Sequence, residues 1–387
     1  MNATRPSPSD RPTRQATVDV AVNLLWCVPG DVGGSEEYLV RQLLGLAAQP
    51  DGFRPTLYCL PAFVDAHPEL AGHYPMVAAR ISGAARPRRV LAENTWLARR
   101  ARPADIVHHG GGTVPTVGGG PIVLTIHDLQ YLTYPEYLTA VKRRYLRTSI
   151  PHSIRRATVI ATPTEYVKSV VVEHFGTDPS TIVVVPHGVE PHLGQNAPTE
   201  SHLRRQYGLG DGPVIVFPAI THPHKGHRFL LEVMAVHWSD PDLRLVLLGG
   251  AGLAAAEVDR AIVELGLERR VVRPGRVPAG DRDGLIALAD ALVFPSEYEG
   301  FGAPVVEAMA LGTPVVCSDQ AALAEVVGDA GVVLPRTIDA WARALDEVAR
   351  RRPALVAAGQ ARAADFTIAR SGAALAVAYR TALEHDR

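Results

Sequence analysis

Cysteine is scarce in these 387 residues: Cys27, Cys59 and Cys317 are the only three. Each sits in an apolar, strand-like run and none is closely spaced with another, which excludes a paired-cysteine metal site and a disulfide framework. Buried, reduced thiols are the expectation, and they suit the cytosol. Net charge is equally small. With 39 basic and 40 acidic side chains the chain carries −1, so no general attraction draws it to nucleic acid. No apolar run is long enough to span a bilayer, because the charge-free window from Ile106 to His127 is interrupted by glycine, proline and histidine. The opening MNATRPSPSDRPTRQAT has no apolar signal core, and residues 1–16 read as a flexible leader.

What is present is a globular composition, 47% hydrophobic and 20% charged, in a chain long enough for two domains and a cleft between them. Short β-branched runs (VDVAVNLLWCV, TLYCL, DIVHH, PIVLTIHDL, TVIAT, TIVVVPHGV) alternate with helical patterns. This rhythm implies an α/β domain with a parallel sheet covered on both faces over residues 17–190. The segment PHGVEPHLGQNAPTE breaks the alternation and reads as a linker. The rhythm then resumes with PVIVFPAI, LRLVLLGG, RVVRPGRV, ADALVFPS, TPVVCSD and AGVVLP, giving a second such domain over 191–365. The alanine-rich remainder, 366–387, reads as a helix that crosses back to the first domain.

Ligands of open parallel sheets bind at the carboxyl ends of strands, so the loops there carry the candidate chemistry. In VPGDVGGSEEY, Gly33 and Gly34 would let a phosphate approach the backbone at a helix N-terminus, with Ser35 as the cap. A tight strand-to-helix turn is the plainer alternative. The loop lacks a GxGxxG fingerprint, which argues against a dinucleotide-dependent oxidoreductase. IVLTIHDL places His127 and Asp128 at a strand end. In THPHKGHRFLL, Lys225 precedes a helix, where a cation is electrostatically out of place unless an anion binds. His222, His224 and His227 surround it without the carboxylate or cysteine that a zinc site would need, so no metal is expected. Asp281 of DRD reads as a helix cap. The helix PEYLTAVKRRYLRTSIPHSIRRA presents Leu138, Val141, Tyr145 and Ile150 beside Lys142, Arg143, Arg144 and Arg147, a pattern of either an outer helix or a membrane-surface contact. Finally, SEYEGFGAPVVEAMALG puts Glu299 before a Gly-Phe-Gly turn and Glu307 one turn into a helix that starts near Pro304 and stops at Gly312. Carboxylates so placed can accept hydrogen bonds from hydroxyls on either side of a backbone amide cradle.

The run PSEYEGFGAPVVEAMALGTPV resembles the hallmark of retaining glycosyltransferases of family 4, the group 1 enzymes. GDVGGSEEYLVRQLLGLA, TIHDL, VPHGV and HKGHRFLL extend the resemblance, in the family's order, over nearly the whole chain. It implies the GT-B fold, two Rossmann-like domains whose parallel sheets face each other across a cleft. It further implies that Glu307 binds the ribose of a nucleotide and Glu299 lies beside the transferred sugar. The backbone of Gly300, Phe301, Gly302 and Ala303 would hold sugar hydroxyls and phosphate. Lys225 would contact the diphosphate, Gly33 and Gly34 would form the first-domain phosphate loop, and His127 would stand near the sugar. The family often has an arginine where this chain has Ile220, so His222, His224 or the backbone would have to substitute.

The resulting expectation is a metal-independent hexosyltransferase that needs no cofactor. Its nucleoside diphosphate sugar donor would be GDP-mannose, by resemblance to the mannosyltransferase-like branch. The acceptor would be a saccharide, a lipid-linked intermediate or a small molecule in glycan, glycolipid or secondary-metabolite biosynthesis. The location would be cytoplasmic, with possible peripheral contact at the inner membrane face. The alternatives are a phosphorylase or disaccharide synthase on the same scaffold and a non-catalytic nucleotide-sugar-binding protein. The chain is poor in lysine, which leaves a pyridoxal-dependent phosphorylase no candidate besides Lys225.

Overall fold

The computed structural model describes residues 17–50 and 52–385; the leader expected at 1–16 lies outside the described residues. Two parallel sheets organise the chain. The first contains β1 (Val18–Asn23), β2 (Phe53–Cys59), β3 (Met76–Ala78), β4 (Ile106–His109), β5 (Ile122–Thr125), β6 (Val159–Thr162) and β7 (Ile182–Val184), in the spatial order β3-β2-β1-β4-β5-β6-β7. The second contains β8 (Val214–Pro218), β9 (Arg244–Leu248), β10 (Val271–Gly275), β11 (Ala291–Phe294), β12 (Val315–Ser318) and β13 (Val332–Leu334), in the order β10-β9-β8-β11-β12-β13. Central strands such as IVLT and ALVF are buried at every position, as layers on both faces of a parallel sheet require. Strand order reverses between β1 and β4 and again between β8 and β11. Loops diverging from those points leave a crevice at the carboxyl edges.

Every apolar run of the second half became a strand. The first half gained one, β3, whose three partly exposed residues are too short to register as a run. The last helix, Ile368–His385, packs on Gly34–Ala47 of the first domain, and Gly45 and Gly372 lie where their backbones meet. A Cβ at either glycine would overlap the facing main chain. The two crossings between the domains run side by side, with the amide of Val189 donating to the Phe366 carbonyl at 2.6 Å.

Three local expectations are corrected. The first long helix starts at Gly34 with Gly33, not Ser35, at its cap and no side-chain cap bond; the positive φ of 64° at Gly33 suits glycine. Asp281 does not cap its helix, which spans Ala279–Leu288 behind Pro278. Its carboxylate instead accepts from Tyr207 at 2.5 Å and Gln206 at 3.0 Å. The basic segment is interrupted: a single 3₁₀ turn, Pro135–Tyr137, precedes a helix over Ala140–Arg156 that Thr139 caps through Lys142 N at 3.3 Å. Of its apolar residues Ile150 is buried and Val141 is 81% exposed. All three cysteines are free and buried. Burial pushes their thiols up, Cys59 to about 11 and Cys317 to about 12.

Candidate active site

The cleft is built from strand-end loops of both sheets, and several of the candidate residues meet there. Lys225 ends a 3₁₀ turn, Pro223–Lys225, after β8, and Gly226 turns the chain with φ 77° into the helix His227–Val236. Its ammonium donates to Glu299 Oε1 at 2.6 Å, and both side chains are largely buried, at 18% and 11% exposure. The loops carrying them are further tied by Glu297 N donating to the His224 carbonyl at 2.7 Å. Such a shielded, charge-assisted contact holds each group in place for a bound anion or hydroxyl.

Glu307 lies inside the helix Ala303–Ala310, which Gly302 starts with φ 90° and Pro304 supports in its first turn. Its side chain is 5% exposed. Arg41, from the first-domain helix Gly34–Ala47, donates to Glu307 Oε1 at 2.9 Å. The same guanidinium reaches Glu190 and Glu37, each at 3.1 Å, and the Gly188 carbonyl at 3.3 Å. Arg282 stands 3.9 Å from Glu307 Oε2. Burial pushes the Glu307 carboxyl up, but Arg41 and then Arg282 outweigh it and hold it below the usual range. Neither arginine was singled out from the sequence. The available signal was Arg41 within the apolar run YLVRQLL, four residues after Glu37, where an i,i+4 pair can form.

His127 donates from Nε2 to the Gly110 carbonyl at 2.7 Å, which leaves Nδ1 as an acceptor. Burial pulls its pKa down, so the ring is held neutral. Gly300 lies against it from the second domain: a Cβ at Gly300 would overlap the His127 carbonyl oxygen. The Gly300 carbonyl accepts from Thr164 at 2.9 Å. An aromatic column runs across the cleft through Trp26, His127, Tyr38, His187 and Phe301, with successive ring centroids 5.6, 5.3, 4.2 and 4.5 Å apart. The Phe301 side chain is therefore core, 3% exposed, and only its backbone is left to face a ligand.

Gly33 faces the second domain, where Ile220 Cδ1 is 3.8 Å from the position of a Gly33 Cβ, whereas Gly34 borders open space. Ile220 thus lines the cleft in place of a cation. His222 and His224 stack with centroids 5.8 Å apart. Burial first, and then Lys225, lower both, His224 to about 3, so they offer hydrogen bonds rather than positive charge. Arg276 spans the gap nearby, donating to the Gly30 carbonyl at 2.6 Å. Among the described residues no three His, Cys, Asp or Glu side chains are grouped to hold a metal ion.

Residues 32–193 match the Glycosyltransferase Family 4 family and residues 200–363 the Glycosyl transferases group 1 family. Among curated relatives, an O-antigen chain mannosyltransferase B of Escherichia coli is 32% identical over 61% of this chain and 63% of its own, somewhat under two thirds of that relative's length. A 2-deoxystreptamine glucosyltransferase of Streptomyces kanamyceticus is 30% identical over 66% of this chain and 70% of its own. Among solved structures, HepE of Anabaena in complex with UDP and glucose superposes with a TM-score of 0.73 at 20% identity, covering 94% of this chain and 99% of that one. WaaG, a glycosyltransferase involved in lipopolysaccharide biosynthesis, gives 0.70 at 19% identity, covering 92% and 98%. These likenesses assign the GT-B fold.

Proposed function

The chain belongs to the family 4, group 1 glycosyltransferases, and on that premise we propose that it moves a hexose from a nucleoside diphosphate sugar to a hydroxyl acceptor. Transfer proceeds with retention of configuration and without a metal, and the sugar is mannose. The observation that carries the reading is the buried Lys225–Glu299 contact at the carboxyl edge of the second sheet, next to Gly300, which abuts the His127 backbone of the first domain. Lys225 takes the diphosphate and stabilises the negative charge that grows on it as the glycosidic bond breaks. The amides from Gly300 to Ala303 add the partial positive charge of a helix N-terminus, while Gly33 and Gly34 close over the phosphates. Glu299 accepts from a sugar hydroxyl and Glu307 from the ribose, and neutral His127 bonds the sugar from the first domain. No protein base is required, because a departing phosphate oxygen can take the acceptor's proton.

The O-antigen mannosyltransferase relatives support the mannose donor, and the 2-deoxystreptamine glucosyltransferase supports a small hydroxylated acceptor as readily as a glycan. Among the described residues no helix is long and apolar enough to cross a membrane. The helix Ala140–Arg156 exposes Val141 beside Lys142, Arg144 and Arg147, and Leu91 and Val117 are also exposed. That surface supports peripheral contact with an anionic membrane on the cytoplasmic side. The test is a donor screen with GDP- and UDP-sugars, detecting released nucleotide and the mass of the product on saccharide, lipid-linked and cyclitol acceptors. GDP-mannose should turn over, and Glu299→Ala should abolish transfer with the fold intact. Binding of no nucleotide sugar, or undiminished turnover by Glu299→Ala, refutes the assignment.

A further inference from the structure

A second cavity lies wholly within the first domain. The crossover from β4 to β5 spans residues 110–121 without a helix, as the glycine-rich GGGTVPTVGGGP. On parallel sheets such a crossover ordinarily lays a helix over the sheet. Its absence leaves a gap of about 340 Å³, bounded by the turns Glu93–Leu97 and Ala98–Arg100 on one side and the glycine loop on the other. Val107, Ile122 and Leu97 give it apolar walls, and Glu93 and His109 line it as buried polar groups.

Glu93 is 8% exposed, and the hydrogen bond at its carboxylate is a long one, from Asn23 Nδ2 at 3.5 Å. The same amide lies 3.1 Å from His109 Nδ1. Arg89, one turn before Glu93, is the nearest cation in electrostatic effect, yet its buried Nε has no hydrogen-bond partner. Burial pushes the Glu93 carboxyl up and pulls His109 down to about 3. A buried carboxyl with so little satisfied capacity is costly in an empty apolar space and useful where a hydroxyl donor arrives. The rim adds Arg102, which is exposed, and Arg156, which is held by the Pro115 and Gly118 carbonyls. With two guanidiniums at the mouth a cationic ligand is disfavoured. Hydroxyls facing Glu93 and His109, with a carbon face against Val107 and Ile122, match a sugar or cyclitol ring, and the volume is within the range of small-molecule sites.

We propose that this cavity binds one neutral polyhydroxylated ring, as a subsite for a remote ring of the acceptor. The second clause rests on the function proposed above, and the binding itself does not. Of its lining residues, His109 lies toward the reacting edge, since it immediately precedes Gly110, whose carbonyl holds His127, while Ala104, Gly120 and Ile122 lie at the amino ends of β4 and β5.

The test uses the full chain in the absence of donor, with myo-inositol, D-mannose and D-glucose as probes in saturation-transfer NMR and calorimetry. At least one ring should bind saturably. Ala98→Trp, which fills the cavity from a partly exposed position, should abolish that binding. Glu93→Gln, which keeps the shape and removes the charge, should weaken it at least tenfold. Titration with UDP- and GDP-sugars should be unchanged in both variants, which also reports that they fold. Ring binding that survives Ala98→Trp, or no ring binding by a wild type that binds a nucleotide sugar, overturns the proposal. Loss of nucleotide-sugar binding in the wild type would instead count against the proposed function, and ring binding would still decide this one.

Discussion

Arg41→Met is the most informative single perturbation of this molecule. It removes a guanidinium that is 3% exposed and touches Glu307, Glu190 and Glu37 at 2.9, 3.1 and 3.1 Å. Glu190 and Glu37 are each about half exposed, so water can repay most of what they lose. Glu307 is 5% exposed, and its next cation is Arg282 at 3.9 Å. Taking one partner from a buried pair costs roughly 3–5 kcal/mol, and the residual help of Arg282 places this case at the low end, about 3 kcal/mol. For a cooperative unit of about 150–250 residues that is a fall in Tm of roughly 6–12 °C. The pH dependence is distinctive. Glu307 is held low in the fold, so its ion pair contributes stability that is present above the unfolded carboxyl pKa and is lost as pH falls through the lower folded value. Without Arg41 the buried carboxyl titrates higher and can neutralise itself, so the gap between wild type and variant should narrow as pH falls from 7 toward 4. Thermal melts across that range, with Glu307→Gln and the double variant, complete a cycle. The double variant should recover about 2 kcal/mol relative to additivity. A loss below about 1 kcal/mol, strict additivity, or a gap that widens in acid refutes the account.

Two further outcomes follow from the same geometry. Lys225→Met removes the cation beside Glu299 and should lower turnover by about 10²–10³-fold, the usual effect of deleting one donor to a developing negative charge; nucleotide release under saturating donor measures it, and a change under tenfold contradicts the role. Gly300→Ala places a Cβ on the His127 carbonyl oxygen and should wedge the two domains apart at a cost of about 1–3 kcal/mol. Small-angle scattering should show a larger radius of gyration together with reduced transfer, and an unchanged radius means that the domains do not meet there in solution.

Both sheets were legible because their strands are buried on both faces and read as continuous Val, Ile and Leu runs. The positions of Lys225, Glu299 and Glu307 were legible because strand-end loops and helix starts are marked locally by glycine and proline. Errors collected where the outcome depends on residues distant in sequence. Asp281 has the composition of a cap, yet a tyrosine and a glutamine of another helix claim its carboxylate. The basic segment reads as one helix from Pro135, yet a 3₁₀ turn comes first and the helix begins only at Ala140. The cavity at Glu93 arises from a crossover without a helix, and a glycine-rich loop does not announce the space it leaves.

Arg41 is the hardest case, and it sharpens what Glu307 does. A charge in an apolar helical run is only partly explained locally, by Glu37 four residues earlier, since its other carboxylate partners are 149 and 266 residues away. Tertiary structure supplies the rest: Arg41 joins the first domain, the inter-domain segment and the helix Ala303–Ala310 at one point. Glu307 consequently has two different oxygens. Oε1 is committed to Arg41 at 2.9 Å, while Oε2 stands 3.9 Å from Arg282, beyond hydrogen-bond reach. A carboxylate oxygen has room for more than one donor, so a ribose hydroxyl can be accepted at Oε2 while Oε1 keeps the domains engaged. The same carboxylate then reports the state of the cleft to the proposed nucleotide site, because withdrawing Arg41 raises the affinity of Glu307 for a proton and weakens it as an acceptor.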